Sequence, residues 1–589
     1  PCMTTQHRAT PGFDDQAPGT SGLRRPTRRF MEPHYLETFI QALFEVAAPP
    51  RGATLIVGGD GRFFSDQAAA TVIRMAAAHG FGRVLVGQGG LLSTPAASHL
   101  VRRHEAFGAV ILSASHNPGG PDGDFGVKFN GASGGPAPAS LTDAVRDRAS
   151  ALRRYSLSDQ PVPSLDQPGV FDLDGMAVEV IDPVTAYADL METLVDFDQI
   201  RALIARPDFS MMFDAMHAVT GPYAREIFET RLGARGVVMN GAPSPDFGGG
   251  HPDPHPDHAP ELAAALFGDQ PPSFGAASDG DGDRNMILGP GMMVSPGDSL
   301  AILTANAARI GVYRTRPLKG VARSAPTSRA VDRVAERLDL PLYETPTGWK
   351  YFTNLLDDGR ITFCGEESFG TGADHVREKD GLWAVLMWLN LLAVEGRPLP
   401  DIVRDHWRLY GRDYYQRLDF EDLDPARAAD FMRDLRADLD QMAGRAVGGF
   451  TVRKAEEFRY VDPVDGAVAE LQGVRLWLTP DALQLGHRAV GGFTVRKAEE
   501  FRYVDPVDGA VAELQGVRLW LTPDARITYR LSGTGARGAT LRVYVERFEP
   551  PSGAIDAPVA EALSDLSAAA VAAARITERL DRTTPSTVT

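Results

Sequence analysis

The stretch Ala109-Val110-Ile111-Leu112-Ser113-Ala114-Ser115-His116-Asn117-Pro118 decides how this chain is read. Four apolar residues in a row read as a short buried strand. The chain then turns at once, because Asn117-Pro118 breaks a regular element. Ser115 is therefore presented from a rigid strand end, and Ala114, Gly119 and Gly120 leave room beside it for a bulky group. This stretch alone is consistent with a nucleophile or with a serine that satisfies backbone groups in a turn.

Outward from it, apolar strands at residues 53–57 and 83–86 alternate with amphipathic stretches such as 141–152 and 328–338, the pattern of α/β layers. The expected architecture is α/β: three consecutive similar α/β domains with mixed sheets, at residues 1–192, 193–312 and 313–410. A C-terminal α+β domain follows at 411–589, and the four domains surround one central cleft. A chain of 589 residues with 43% hydrophobic content suffices for several cores. Residues 382–394 are apolar but interrupted by Asn390, and a bilayer span takes about 20 residues, so this is a buried helix. The last domain is expected to open with a helix over 425–442, capped by Asp424 with Pro425 at its first position. It ends in an alanine-rich helix over 557–582.

Two further blocks carry chemistry. In Asp279-Gly280-Asp281-Gly282-Asp283-Arg284 three carboxylates recur at every second residue. On extended backbone they project to one side and converge on a hard divalent cation, for which Mg²⁺ is the economical choice. A calcium EF-hand loop needs Gly at its sixth position and Glu at its twelfth, where this chain has Arg284 and Pro290. Arg284 is placed to bind a phosphoryl oxygen. In Arg530-Leu531-Ser532-Gly533-Thr534-Gly535-Ala536-Arg537-Gly538, hydroxyls, backbone donors and guanidinium groups suit a phosphate. The spacing also satisfies G-x-G-x-x-G, but the residues that follow, Ala539 to Val545 with Arg542 among them, read as a strand, whereas a dinucleotide site needs a helix there.

Serine, acid triad and phosphate loop, in this order, resemble the α-D-phosphohexomutase superfamily, most closely its phosphoglucomutase branch. The likeness spans nearly the whole chain and includes Pro18-Gly19-Thr20-Ser21-Gly22-Leu23-Arg24, Val57-Gly58-Gly59-Asp60-Gly61-Arg62, Gly126-Val127-Lys128-Phe129-Asn130 and Thr345-Pro346-Thr347-Gly348-Trp349-Lys350. Its most discriminating part is Gly365-Glu366-Glu367-Ser368, where Glu367 points to glucose rather than mannose or glucosamine. The resemblance implies a phosphoserine at Ser115 that exchanges its phosphoryl group with glucose 1-phosphate or glucose 6-phosphate through glucose 1,6-bisphosphate. It implies Mg²⁺ on Asp279, Asp281, Asp283 and an oxygen of Ser115. Lys128, Arg24, His116 and Lys379 are then the other candidate catalytic residues. Thr347, Gly348, Glu366, Ser368 and His375 are expected to grip the sugar. Arg284, Arg530, Ser532, Gly533, Thr534, Gly535 and Arg542 are expected to hold phosphate. A metal-dependent phosphatase and a phosphomannomutase of broader specificity are the alternatives.

Net charge is −17, which argues against nucleic-acid or membrane-surface partners. The expected partner is a small sugar phosphate, met by local arginine clusters, with the protein a monomer or weak homo-oligomer. Cys2 and Cys364 make no disulfide framework, so a cytoplasmic location is the default. No signal peptide is expected, and Met3 is read as the start. The prolines of His251-Pro252-Asp253-Pro254-His255-Pro256-Asp257-His258 prevent helical ligand spacing, so that segment is read as a rigid loop rather than a metal site.

One feature departs from the family. Residues 445–482 recur without a change as residues 488–525. Two copies do not make a stacking repeat, and both have equal local claim to one place in the last domain. Connectivity to Arg530 favours the second copy, which leaves the first as a surface insertion with an exposed strand edge.

Overall fold

The computed structural model describes residues 5–19, 21–437, 446–447, 450–457, 474–480, 503–504, 511–512, 517–521, 525–532 and 538–589. They form two compact units: residues 1–322, 337–343 and 348–403 in the first, residues 323–336, 344–347 and 404–589 in the second.

The first unit contains a seven-stranded mixed sheet in the order Leu23–Pro26, Asp124–Asn130, Gly108–Leu112, Thr54–Gly59, Arg83–Leu91, Met176–Ile181, Gly169–Leu173. The central strands run parallel, and the outer ones are antiparallel. Every residue of Gly108–Leu112 is buried, which is why that strand is an unbroken apolar run rather than an alternating one. Helices Tyr35–Ala47, Ser65–Ala78, Thr94–Arg103 and Ala139–Ala151 belong to the same domain. Their Phe39, Leu43, Val72 and Val145 share one core with Val57, Val110 and Val127 of the sheet. Each such side chain contributes about 1.5–3 kcal/mol on full burial.

A second, five-stranded mixed sheet runs Val238–Met239, Met211–Asp214, Phe274–Ser278, Asn285–Gly289, Met292–Val294. A third, of four strands, ends in the hairpin Phe363–Glu366 and Gly370–Ala373. The apolar stretch around Asn390 is helix Gly381–Glu395, buried along nearly its whole length. Among the described residues no helix is long and apolar enough to cross a membrane. Three α/β sheets followed by a largely antiparallel α+β domain agree with the expected fold class.

The second unit carries an antiparallel sheet in the order Val517–Leu521, Ala525–Ser532, Ala539–Glu549, Arg412–Leu423, Thr587–Val588. Ile527, Tyr529, Leu541 and Val543 pack there against Leu563, Leu566 and Phe431. The helix expected to open this domain is described as Pro425–Ala437. The single C-terminal helix expected over 557–582 is two, Val559–Ala573 and Ile576–Leu580. The break falls at Arg575, whose backbone is left-handed, and it turns Ile576 and Leu580 into the core.

The duplicated copies pair differently. From the second, Val517–Leu521 joins the edge of the domain sheet against Ala525–Ser532. From the first, Phe450–Glu457 pairs with Val474–Pro480 and Ala446–Val447 in a separate three-stranded sheet.

Candidate active site

The three loops that carry the chemistry in the first unit follow strand ends, whereas Arg24 and Lys128 lie within strands Leu23–Pro26 and Asp124–Asn130. Ser115 follows Gly108–Leu112, the acid triad follows Phe274–Ser278, and Glu367-Ser368 follow Phe363–Glu366. Loops beyond carboxyl ends of strands are where α/β sheets bind ligands. Ser115 is buried and takes a left-handed backbone, φ 57°, which residues with a Cβ rarely adopt. Its hydroxyl donates to Asp279 Oδ2 at 3.1 Å and lies 3.4 Å from Nδ1 of His116.

Asp279, Asp281 and Asp283 are all buried, and each turns one carboxylate oxygen to within 4.8 Å of the others. Oδ1 of Asp281 and of Asp283 are buried without a hydrogen-bond partner. An all-oxygen set with unspent acceptors fits a hard divalent cation. Burial, and then the neighbouring Asp283 and Asp281, push the Asp279 carboxyl well up. For Asp281 burial acts the same way, but Lys128 and Thr94 outweigh it and hold the group below the usual carboxylate range.

Cations surround the triad. Lys128 Nζ is bonded to Asp281 and stands 3.6 Å from Asp283; burial opposes its charge, but Asp281, Asp283 and Glu378 more than offset that and raise its pKa. Lys379 Nζ lies 3.4 Å from Asp283 and 3.9 Å from Glu366, so one ammonium links the acid loop to the sugar-recognition loop. Gly370 makes that possible, because a Cβ there would sit 2.3 Å from the Lys379 stem. Arg24 lies in the field of Asp281 and Asp283, with burial lowering its pKa. Arg284 Nη1 donates to Asp253 at 3.2 Å and its Nε is 3.8 Å from Asp279. Glu366 accepts from the Gly348 N–H at 2.9 Å, and burial raises its pKa. Ser368 is half-buried. The two loops are also stitched by backbone: the Asn285 N–H donates to the Phe369 carbonyl, and that of Gly381 to Gly282.

The His375 ring is 1% exposed, stacks on Trp383 at 5.3 Å and bonds Asp380 at 2.9 Å, beneath the segment that carries Lys379. Sequence reasoning missed Thr94, whose hydroxyl donates to Asp281 at 2.5 Å; its only trace was the cap pattern Ser93-Thr94-Pro95. Asp253, in the proline-rich segment, was read as loop and proves to be an Arg284 partner. Among the described residues the acid triad is the only set of three or more His, Cys, Asp or Glu side chains close enough together to share one metal ion.

The second unit holds Thr347, Arg530, Ser532 and Arg542. Arg530 stands directly across the sheet from Arg542, and Arg542 from Asp419. Arg542 Nε is 3.8 Å from Asp419, which Arg417 also approaches at 3.0 Å. Two like charges facing across strands repel, and an anion between them removes the repulsion. Gly533, Thr534 and Gly535 lie outside the described residues, as does most of the duplicated segment.

Comparison with known proteins agrees with this geometry. The domain descriptions "Phosphoglucomutase/phosphomannomutase, alpha/beta/alpha domain" I, II and III match residues 15–156, 185–291 and 296–410. "Phosphoglucomutase-1, C-terminal domain" matches 412–485 and again 481–586. The chain is 48% identical to a phosphoglucomutase of Rhizobium radiobacter, with 99% of both chains covered. It is 44% identical to a chloroplastic phosphoglucomutase of Arabidopsis thaliana, covering 98% of this chain and 88% of that one. The open form of a Paramecium phosphoprotein, parafusin, also described as a phosphoglucomutase, superposes with TM-score 0.83 at 40% identity, covering 100% of this chain and 99% of that one. The chain belongs to the phosphoglucomutase/phosphomannomutase family of the α-D-phosphohexomutase superfamily. It is accordingly an enzyme of the isomerase class that moves phosphate within one molecule.

Proposed function

We propose that this chain is a phosphoglucomutase that interconverts α-D-glucose 1-phosphate and glucose 6-phosphate. The observation that carries the reading is the convergence, within one unit, of a strained serine hydroxyl, an acid triad and Lys379 shared between Asp283 and Glu366.

In this reading Ser115 Oγ carries the phosphoryl group. A sugar hydroxyl attacks phosphorus, the bond from phosphorus to Ser115 Oγ breaks, and glucose 1,6-bisphosphate forms; after the sugar reverses, Oγ takes the other phosphoryl back. Covalent relay through the protein divides one difficult transfer into two, and catalysis is then mostly positioning and electrostatics. Lys128 and Arg24 stabilise charge and assist proton movement at the attacking and leaving oxygens, and His116 orients the serine. Asp279, Asp281 and Asp283, with an oxygen of Ser115, would hold Mg²⁺, which offsets negative charge in the transition state. Glu366, Ser368, Thr347 and Gly348 hold sugar hydroxyls. Arg284 binds the phosphoryl group near Ser115, and Arg530, Ser532, Gly533, Thr534, Gly535 and Arg542 bind the distal phosphate. Glucose 1,6-bisphosphate serves as activator as well as intermediate. The enzyme is assigned to the cytoplasm, as a monomer or weak homo-oligomer; its relatives include both cytoplasmic and chloroplastic proteins.

The test is conversion of glucose 1-phosphate with Mg²⁺ and a trace of the bisphosphate, run beside mannose 1-phosphate and with inorganic phosphate monitored. Turnover preferring glucose, without phosphate release, supports the reading. Equal use of mannose, or release of phosphate in step with sugar turnover, overturns it.

A further inference from the structure

Behind Ser115 lies a closed ring of buried polar groups to which the reaction assigns no part. The Ser115 N–H donates to Ser113 Oγ at 2.7 Å, and that hydroxyl donates to Asp60 Oδ2 at 2.6 Å. The Asp60 carboxylate takes Nε of Arg62 at 2.9 Å, and Nη2 of Arg62 returns to the Ser115 carbonyl at 2.8 Å. The remaining nitrogen, Nη1, reaches the Asp124 carbonyl at 2.7 Å and that of Asn117 at 3.4 Å. Asp60 and Arg62 directly follow strand Thr54–Gly59, and Ser113 follows the adjacent parallel strand Gly108–Leu112, with Gly59 opposite Leu112. The ring therefore closes across two neighbouring strand ends.

We propose that Arg62, Asp60 and Ser113 are positioning residues for phosphoryl transfer at Ser115, an inference that rests on the mutase reading. They hold the N–H and the carbonyl of Ser115, the two peptide units that flank its Cα, and so fix its left-handed conformation and aim Oγ at Asp279. A left-handed serine persists only where its surroundings over-determine it, and here each backbone group of the residue has its own partner from the ring. Direct phosphate binding by Arg62 is excluded by geometry: its side chain and that of Asp60 are 0% exposed, its charge is matched by Asp60, and every nitrogen is engaged. The acid loop leans on the same carbonyl, since a Cβ on Gly280 would lie 2.4 Å from Ser115 O. Nucleophile and metal ligands thus share one reference point.

Ser113→Ala removes a single hydroxyl from the full-length protein. The expected result is a kcat about 10- to 100-fold lower, the scale of a small misplacement of a reacting group. KM for glucose 1-phosphate stays within about twofold of wild type, the thermal midpoint is nearly unchanged, and a crystal structure has Ser115 relaxed out of the left-handed region. Wild-type kcat, or a Ser115 that keeps its φ and its contact to Asp279, overturns the proposal. Where S113A does not fold, Asp60→Asn is read by the same two measurements. A wild-type protein without mutase activity sinks the mutase reading, while the Ser115 conformation in the variant still decides whether the ring positions it.

Discussion

Gly280 and Ser115 meet backbone to backbone: a Cβ on the glycine would fall 2.4 Å from the serine carbonyl oxygen. No side chain fits that gap, so the loop that carries the acids and the turn that carries the serine are in register only while residue 280 is glycine. Gly280→Ala is expected to lower kcat by about 100-fold, since a displacement near 1 Å at a reacting group costs that much, with a smaller change in KM. Unchanged steady-state kinetics would show that the two loops need no such register.

The acid triad makes a prediction about metal. Three buried carboxylates this close repel, so a divalent cation binds the folded state and stabilises it by mass action, by about 2.7 kcal/mol at a hundred times its dissociation constant. Chelator-stripped protein should lose activity, and its thermal midpoint should rise on addition of Mg²⁺. Asp283→Asn should blunt that rise. A midpoint indifferent to Mg²⁺ would remove the triad from consideration as a metal site.

In the second unit Arg526 is buried against Glu546 at 2.5 Å and donates to the carbonyls of Ala325 and Thr327. Arg526→Met leaves the buried Glu546 with only the more distant Arg329, whose Nε is 3.8 Å away and whose backbone N–H donates to it, and is expected to cost up to about 3–5 kcal/mol. Burial alone would raise the Glu546 pKa, but Arg526, together with Arg329 and Arg323, outweighs it and brings it to about 2. Because the folded value is depressed, this pair stabilises the fold above the ordinary glutamate range and the contribution is lost as pH falls toward 2. Urea titration of the variant checks the magnitude, and a loss under about 1 kcal/mol, the range of an exposed pair, would mean the pair is not the anchor its burial implies.

His406 gives a second pH dependence in the opposite charge class. Burial lowers its pKa to about 3, so it is neutral in the fold and must take up a proton to unfold below its ordinary range. Its folded pKa being depressed, stability is complete above about pH 6.5 and declines as pH falls toward 3. His406→Phe should remove a slope of about 1.4 kcal/mol per pH unit in that interval. Parallel stability curves for the two proteins below pH 6 would contradict the assignment.

Removal of residues 445–487 tests the duplication. Because Val517–Leu521 occupies the edge of the sheet that leads into Arg530, the shortened protein should fold and keep mutase activity. Limited proteolysis of the full chain should cut first within the earlier copy. Cuts confined to residues 488–525 would place the first copy in that sheet instead, and collapse of the shortened protein, which holds a single copy, would mean that the domain needs both.

Much of this site was legible from local pattern. The unbroken apolar run before Ser113 predicts a fully buried strand, and Gly108–Leu112 is one. The alternation of Asp279, Asp281 and Asp283 predicts convergence on extended backbone; their oxygens do converge, but through a tight turn, in which the Gly282 N–H donates to the Asp279 carbonyl at 3.2 Å and Gly282 is left-handed, a closure that alternation does not show. The proline-rich segment was legible as a loop, but its Asp253 was not legible as a partner of Arg284, since that contact joins residues 31 apart in the chain. The setting of His375 was hidden for a related reason: only the packing of helix Gly381–Glu395 shows Trp383 against its ring and Asp380 holding its nitrogen.

The sequence by itself determined which chemistry the chain carries: a serine at a strand end, a hard-cation triad, paired arginines beside a glycine-rich loop, and a repeated segment with no local preference between its copies. Tertiary structure alone decided that Arg62 grips Ser115 from behind and that Lys379 joins Asp283 to Glu366, while the entry of Val517–Leu521 into the sheet rather than its identical twin followed the connectivity to Arg530 and not any local pattern. Residue type and local periodicity are written along the chain. A contact between residues 53 apart, as for Arg62 and Ser115, or a choice between identical strands, depends on which strands lie side by side and on where the chain must connect next.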